Sequence, residues 1–464
     1  MSKPNNPINL IRGWPAPDLL PASLLSASAQ RLLADPDVYV PALQYGPDPG
    51  YQPLREGLST WLAAHYGVTA DAERICITGG ASQNIANILQ SFTDPTVTKA
   101  VWMVAPTYHL ACDIFADAGF AGRLRAFPED EEGVDLEALE ERIRQLEEDE
   151  EKKPQLKPFK NAGEFRKHYR HIIYVVPTCS NPSGKTMSVR RREGLVHLAR
   201  KYDALVICDD VYDLLQWPTD KLADTPLRSN ETPEMMLPRL CDIDLAMGQA
   251  EDDPKGFGYA VSNGSFSKMT GPGCRTGWLE GSRAFAFGLA QTGASKSGGA
   301  PSQLSAAILA GIVKSGELRD FLAERVRPGL QRRHKLMVDA IHEHLSPLGV
   351  TIREAGLVDG SVYGGYFIWA NLPEGFSAKQ IADVALAEEQ LIVGNGNMFQ
   401  VHGDEHTVDL DGAIRLTFAW VSEDDLVEGV RRLGGVMQRI KTDAAKYANF
   451  SGDVSDAALI GSSK

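Results

Sequence analysis

The chain has 464 residues, 43% of them hydrophobic and 23% charged, which suits an ordinary enzyme of two or three domains. Its formal net charge of −14 argues against nucleic-acid binding, because no basic field is available to hold phosphates. No apolar run reaches about 18 residues, and six scattered cysteines form no Cys-x-x-Cys pair, so we expect a cytoplasmic protein with reduced thiols, no membrane span and no metal site.

Short β-rich runs alternate with helical patterns from about residue 72 to residue 300. Continuous apolar runs such as Ile-Ile-Tyr-Val-Val are typical of strands buried on both faces of a mostly parallel sheet. Seven strands are predicted, at 74–78, 100–105, 123–127, 171–176, 204–209, 259–263 and 277–280. Helical patterns lie between them, for example at 82–92, 110–118 and 189–202. In this α/β layout the loops at the strand ends build the active site.

The rest of the chain predicts a smaller α+β domain. A long helical pattern spans about 318–345, with Pro328 as a kink or break. Further strands are predicted at 350–353, 366–372 and 414–419, and further helices at 378–389 and 423–440. We assign 1–55 to an N-terminal arm and part of the small domain, 56–315 to the large domain with a charged insertion at about 141–170, 316–445 to the small C-terminal domain, and 446–464 to a tail.

A lysine follows the sixth predicted strand on a turn rich in Gly, Ser and Pro. Residues 265–268 read Ser-Phe-Ser-Lys, and residues 271–278 read Gly-Pro-Gly-Cys-Arg-Thr-Gly-Trp. In one interpretation Lys268 is a surface residue beside a tight turn. In the other its amine is desolvated and lowered in pKa, fit to form a Schiff base. Ser265 and Arg275 would then face a phosphate, which arginine binds through a rigid fork of donors.

This segment resembles the lysine segment of fold-type I pyridoxal-phosphate (PLP) enzymes, the class I and II aminotransferases, which include aromatic, 2-aminoadipate and kynurenine aminotransferases. Other motifs of the family follow in order from Gly13 to about residue 440. The resemblance implies a large domain built on a mostly parallel seven-stranded sheet flanked by helices. It also implies pyridoxal 5'-phosphate bound to Lys268, and a homodimer with shared active sites.

The matching motifs imply how the cofactor is held. Thr-Gly-Gly-Ala-Ser-Gln at 78–83 resembles the turn that cradles the phosphate, and Asn-Pro-Ser-Gly at 181–184 resembles the motif that reaches the phenolic oxygen. The resemblance assigns catalytic roles to Lys268, Asp209 and Tyr108, with Asp209 on the pyridine nitrogen and Tyr108 stacked on the ring. The implied cofactor-binding residues are Gly80, Ala81, Ser82, Tyr108, Asn181, Asp209, Tyr212, Ser265, Ser267, Lys268, Arg275 and, from the neighbouring subunit, Tyr45.

One register is open, since Asp210 is the partner of the pyridine nitrogen if the alignment shifts by one residue. The spacing to Tyr212, three residues after Asp209, favours Asp209.

The substrate side is implied by a late Arg-Leu-Thr-Phe at 415–418. Arg415 would bind the substrate carboxylate through two parallel hydrogen bonds. The other implied substrate-binding residues are Asn181, Gly13 and Trp14. Candidate aromatic walls are Trp14, Tyr366, Phe367 and Trp369, although a Tyr-Phe-x-Trp stripe is also typical of a core. Asn395 stands where the family often has proline, which leaves the substrate open.

The function implied by the resemblance is a PLP-dependent transaminase. It would move an amino group from an aromatic amino acid, 2-aminoadipate or a similar donor to a 2-oxo acid such as 2-oxoglutarate. The alternative is another PLP reaction on the same fold, namely β- or γ-elimination or replacement, decarboxylation or cyclisation in specialised metabolism. A ligand-sensing regulator is disfavoured, because such a protein needs a fused DNA-binding domain and the charge is unsuitable.

Overall fold

The structure is a computed structural model that describes residues 7–154, 156–219, 235–448 and 450. The strands, in chain order, are β1 (Ile8–Asn9), β2 (Ile75–Thr78), β3 (Ala100–Ala105), β4 (Leu124–Asp130), β5 (Gly133–Val134), β6 (His171–Val175), β7 (Ala204–Cys208), β8 (Gln216–Pro218), β9 (Ala260–Ser265), β10 (Gly277–Glu280), β11 (Thr351–Ile352), β12 (Val362–Gly364), β13 (Phe367–Asn371), β14 (Leu391–Ile392), β15 (Gly394–Asn395) and β16 (Ala413–Thr417).

The α-helices are α1 (Ala22–Ala34), α2 (Pro36–Leu43), α3 (Gln52–Tyr66), α4 (Ala81–Phe92), α5 (Leu110–Phe115), α6 (Leu136–Glu150), α7 (Val189–Lys201), α8 (Leu240–Ala246), α9 (Arg283–Ala290), α10 (Gly293–Gly298), α11 (Gln303–Lys314), α12 (Glu317–Phe321), α13 (Arg327–His344), α14 (Ala378–Glu389), α15 (Glu423–Thr442) and α16 (Ala444–Tyr447). Across these described residues, no helix combines the length and the apolar character that a bilayer crossing requires. Of the tail predicted at 446–464, residues 446–448 and 450 are described, and residues 449 and 451–464 lie outside the described residues.

A large sheet with strand order β2-β10-β9-β7-β6-β3-β4-β5 forms the centre of the fold. The neighbours from β9 to β4 pair in parallel, and β10 runs antiparallel to both β2 and β9. All seven predicted strands are confirmed, and the α/β architecture with them. The sheet has an eighth strand, because the chain reverses after β4 and the two residues of β5 pair back onto it. Helices α4, α7, α8 and α9 pack against the sheet.

A second sheet, of order β11-β13-β16-β15, lies in the C-terminal part of the chain, and its neighbouring strands are antiparallel. It confirms the strands predicted near 350, 366 and 414, and α14 and α15 confirm the two helices predicted there. The domain boundaries themselves stay a prediction. The N-terminal arm joins this region, since β1 pairs in parallel with β14.

The long helical pattern is irregular just before Pro328, but the backbone remains right-handed helical across the junctions, so the predicted break is absent there. Helix α12 passes into a π-helical turn at Leu322–Val326, and α13 then begins. Pro328 lies in the first turn of α13, directly after that π-helical turn.

The parallel strands bring their carboxyl ends to one edge of the large sheet. There β7 leads into Asp209, and β9 leads into a 3-10 turn, Phe266–Lys268. Strand β2 leads through two glycines into α4 at the same edge. The motifs that the sequence places after strands are therefore gathered around one cavity.

Candidate active site

Lys268 lies in this cavity at the end of the turn after β9. Its Nζ donates a hydrogen bond to the carbonyl oxygen of Gly13 at 2.7 Å, and Tyr366 Oη donates to the Lys268 carbonyl at 2.8 Å. Burial lowers the pKa of the amine to about 8; the Asp209 charge opposes this shift, and the Arg415 charge adds to it. About a tenth of the amine is therefore neutral at pH 7, far more than at the ordinary lysine pKa of about 10.4, and the neutral form is what a nucleophile or a proton acceptor requires.

Asp209 is the carboxylate that the cavity exposes to a ligand. Its two oxygens accept hydrogen bonds from Tyr174 Oη at 2.8 Å and from Asn263 Nδ2 at 3.2 Å. Burial raises the pKa of this carboxyl to about 6, although both hydrogen bonds and the charge of Lys268 favour ionisation. A cationic ligand group beside it would offset the desolvation and keep the carboxylate charged.

Asp210 points elsewhere, which bears on the register left open by the sequence. It faces a separate small cavity lined by Tyr66, Asp213 and Arg239, and it does not line the cavity of Lys268.

An anion cradle lies at the α4 end of the cavity, where Ala81, Ser82 and Arg275 line it. Helix α4 begins at Ala81 after Gly80, with no side chain capping its first N–H groups. Arg275 donates to the Gly79 carbonyl at 3.1 Å, and a Cβ atom on Gly80, whose φ is 99°, would lie 3.3 Å from that guanidinium. Only glycine leaves this approach open. Two further serines line the same end: Ser265 and Ser267.

Arg415 is buried and also lines the cavity. Its guanidinium is sandwiched between the rings of Phe367 and Phe399, at 4.0 and 4.6 Å from their centroids. It donates to Asn181 Oδ1 at 2.7 Å and to the Ile11 carbonyl at 2.5 Å. Burial lowers its pKa to about 10, so it stays protonated at neutral pH. A fixed, charged, planar donor of this kind suits a carboxylate.

Aromatic side chains form the walls between these polar groups. Tyr108, Tyr212, Trp14 and Phe367 line the cavity. Burial, reinforced by Asp209, raises the pKa of Tyr108 to about 12, so its phenol is neutral. Trp14 packs edge-on against Trp420, with their centroids 5.0 Å apart.

Some predicted residues lie outside the cavity. Tyr45 is 88% exposed and does not line it. Tyr366 and Trp369 also lie outside the lining; Tyr366 supports the Lys268 loop and Trp369 packs edge-on against Phe399. Asn395 is buried in β15, and its side-chain oxygen has no hydrogen-bond partner among the described residues.

Three polar residues of the site were not predicted from the sequence. Tyr174 and Asn263 position Asp209, and Asn263 also accepts from Asn84 Nδ2 at 2.8 Å, which ties the carboxylate to α4. The available signal was a polar residue near the end of a buried strand. The third residue, His109, lines the cavity beside Tyr108.

The sequence matches the family described as aminotransferase class I and II over residues 38–433. An uncharacterised protein of Saccharomyces cerevisiae is 32% identical, over 92% of this chain and 96% of its own length. Aromatic-amino-acid aminotransferase 1 of Thermococcus litoralis is 26% identical, over 92% of this chain and 87% of its own.

Two solved structures are similar over nearly the whole chain. Kynurenine aminotransferase of Pyrococcus horikoshii, solved in complex with PMP, has a TM-score of 0.72 and 27% identity, over 94% of this chain and 91% of its own. The α-aminoadipate aminotransferase of Thermus thermophilus, complexed with N-(5'-phosphopyridoxyl)-L-leucine, has a TM-score of 0.70 and 25% identity, over 94% and 93%. The fold is thus that of the fold-type I PLP aminotransferases. The chain belongs to the class I and II aminotransferase family, and it is a transaminase that transfers an amino group.

Proposed function

We propose that this transaminase binds pyridoxal 5'-phosphate through Lys268 and accepts an amino group from an aromatic amino acid, 2-aminoadipate or a similar donor. The acceptor is a 2-oxo acid such as 2-oxoglutarate. The observation that carries the proposal is that Lys268, Asp209 and Arg415 line one cavity. It brings together an amine with a lowered pKa, a buried carboxylate and a buried guanidinium. The substrates named for the relatives support the choice of donors.

The residues present fit this cofactor at each of its polar groups. The anion cradle matches a phosphate, with Gly80, Ala81, Ser82, Ser265, Ser267 and Arg275 as the groups that would hold it. Asp209 would pair with the pyridine nitrogen, Tyr108 would cover the ring, and Asn181 and Tyr212 would reach the phenolic oxygen. When bound, the cofactor supplies an aldehyde that bonds to amines and a ring that withdraws electrons from the substrate Cα.

The chain's own residues would perform the remaining work. Arg415 holds the substrate α-carboxylate and thereby fixes the direction of the bonds at Cα. The Lys268 amine would serve as the base that accepts the proton from the substrate Cα. The Gly13 carbonyl oxygen accepts a hydrogen bond from Lys268 Nζ at 2.7 Å, which holds this amine at the cavity. Asp209 keeps a proton on the pyridine nitrogen. The relatives that are named for an enzymatic activity transfer amino groups, and this favours transamination over elimination, decarboxylation and cyclisation.

The test is a half-reaction without 2-oxo acid. We expect aromatic donors and 2-aminoadipate to convert the bound cofactor to its amine form, with release of one 2-oxo acid per site. The absorbance change of the cofactor and the released acid are measured together. Ammonia or carbon dioxide released instead of a stoichiometric 2-oxo acid would support the alternative chemistries and contradict the proposal.

Arg415 and Arg275 are expected to separate substrate binding from cofactor binding. Arg415→Ala should raise KM for the amino acid by about 10²-fold, because it removes a buried charged partner of the carboxylate. Arg275→Ala should leave that KM nearly unchanged at saturating cofactor and weaken cofactor affinity by about 10-fold, since it removes a fork of donors from the phosphate. Separate titrations of cofactor and amino acid measure the two effects. Equal losses of both affinities in both variants would contradict the assignment.

The proposal includes a homodimer in which Tyr45 reaches the phosphate of the other subunit. Its support is a run of exposed apolar side chains around α1 and α2, a kind of patch typical of interfaces: Leu33, Val40, Leu43 and Tyr45. A native mass near the single-chain 50.5 kDa, measured by light scattering, would contradict the dimer. A cytoplasmic location is supported by the six free cysteines and is checked by cell fractionation.

A further inference from the structure

His109 stands at the start of α5, directly after Tyr108, and lines the cavity that holds Lys268 and Arg415. Its ring packs edge-on against Phe399, with centroids 5.4 Å apart and planes at 79°. Phe399 in turn packs on the Arg415 guanidinium. The imidazole is therefore held by aromatic packing on the substrate side of the cavity, next to the proposed carboxylate-binding group.

Both ring nitrogens of His109 are buried and have no hydrogen-bond partner among the described residues, and the residue is only 3% exposed. Leaving a buried polar group unpaired costs about 1–3 kcal/mol, so such groups in proteins nearly always have a partner. A phenyl ring of similar shape would fill this space without that cost. A ligand group that entered the cavity beside His109 would supply the partner that these nitrogens lack.

The imidazole is neutral at neutral pH. Burial, reinforced by the charges of Arg415 and His402, lowers the pKa of His109 to about 3. A neutral imidazole offers one N–H donor and one nitrogen acceptor. It can donate to a carbonyl, and it can donate to or accept from a hydroxyl or an amide, whereas it gives a carboxylate one hydrogen bond and no opposite charge.

The other groups around the cavity leave few polar contacts for a substrate side chain. Its two arginines are assigned already, Arg415 to the α-carboxylate and Arg275 to the phosphate end. The remaining wall is largely apolar: Trp14, Ile85, Leu110, Val176, Val211 and Phe367. An aromatic or aliphatic side chain fits these surfaces, and His109 adds a polar point among them.

We propose that His109 sets the donor specificity of this enzyme, by hydrogen bonding to an uncharged polar group on the side chain of the substrate amino acid. This inference rests on the proposed function, because it takes the cavity as the amino-acid site. It narrows the donor class to amino acids that carry a hydroxyl or a carbonyl on an otherwise apolar side chain. We therefore expect 2-aminoadipate, whose side chain ends in a carboxylate, to have a lower kcat/KM than these donors.

The test uses the holoenzyme half-reaction with matched donor pairs, tyrosine against phenylalanine and kynurenine against 2-amino-4-phenylbutanoate. In His109→Phe, we expect kcat/KM for the polar member of at least one pair to fall about 10-fold or more. The apolar member should change by less than about three-fold. His109→Asn and His109→Gln place an amide near Nδ1 and Nε2 respectively, and one of them should restore part of the polar preference.

The controls separate this inference from the proposed function and from folding. Cofactor absorbance should be unchanged in His109→Phe, and its Tm should equal or exceed that of the wild type, because an unpaired buried polar group is removed. His402→Ala, on an exposed neighbour, should leave both donor ratios unchanged. Parallel losses for polar and apolar donors, or unaltered ratios in His109→Phe, would overturn the inference. A wild type that accepts none of the four donors would instead contradict the aromatic donor class of the proposed function.

Discussion

Lys268→Ala is expected to lower amino-group transfer by about 10³-fold or more, because one truncation removes both the amine that bonds the cofactor and the base that moves the Cα proton. The loop should survive the change, since its backbone is held independently by the Tyr366 hydroxyl on the Lys268 carbonyl. Turnover with tyrosine and 2-oxoglutarate measures the loss. Peptide mass spectrometry after borohydride reduction should find the cofactor on residue 268 of the wild type only.

Two controls make this result specific. Lys335→Ala removes an exposed lysine that pairs with Asp339 one helical turn away, and turnover should be unchanged. A small primary amine added to Lys268→Ala should restore part of the activity, because it replaces the missing proton acceptor. Turnover within ten-fold of the wild type without added amine would remove Lys268 from the mechanism.

Much of the fold was predictable because its central strands are specified by their own residues. The run His-Ile-Ile-Tyr-Val of β6 and the run Ala-Leu-Val-Ile-Cys of β7 are apolar throughout, and each is buried along its whole length. The site motifs follow such strands, and parallel strands place their carboxyl ends together. The positions of Asp209 and Lys268 at one edge therefore followed from local sequence.

Elements of two or three residues were not predictable in the same way. Strands β5 and β8 owe their extended form to the strand on which they pair, as β8 does with β12 more than 140 positions later. Local propensity says little about such pairs. The same limit applies to contacts in the site, since the hydrogen bond from Lys268 to Gly13 spans 255 positions. The exposure of Tyr45 likewise depends on how the N-terminal arm packs on the rest of the chain, which local sequence does not specify.

Asp209→Asn is expected to lower kcat by about 10²- to 10³-fold while the cofactor remains bound. The amide keeps the size of the side chain and can still bond with Tyr174 and Asn263, but it carries no charge to hold a proton on the pyridine nitrogen. The anion cradle is untouched, so cofactor affinity should fall far less than turnover. Stopped-flow measurement of the half-reaction, beside a cofactor titration, checks both.

Asp210→Asn is the matched control, because it alters the neighbouring carboxyl by the same atoms. Burial and the charge of Asp213 raise the pKa of Asp210 well above its usual range, which favours the neutral carboxyl, and an amide resembles that form. We expect turnover within about three-fold of the wild type. A large loss in Asp210→Asn with activity retained in Asp209→Asn would exchange the two roles and favour the shifted register.

Stability at different pH values shows whether the loss in Asp209→Asn arises from unfolding. The folded-state pKa of Asp209, about 6 in the protein without cofactor, lies above the unfolded value, so the folded protein binds more protons than the unfolded chain between these values. The contribution of this carboxyl to stability is then greatest at low pH and is lost as the pH rises through about 6. An amide does not titrate, so above that pH the apo form of Asp209→Asn should be at least as stable as the wild-type apoprotein. Thermal unfolding of both apoproteins at pH 5 and pH 8 measures the difference; a variant that is less stable at pH 8 would make the activity loss structural, whereas a stable and inactive variant leaves the missing charge as its cause.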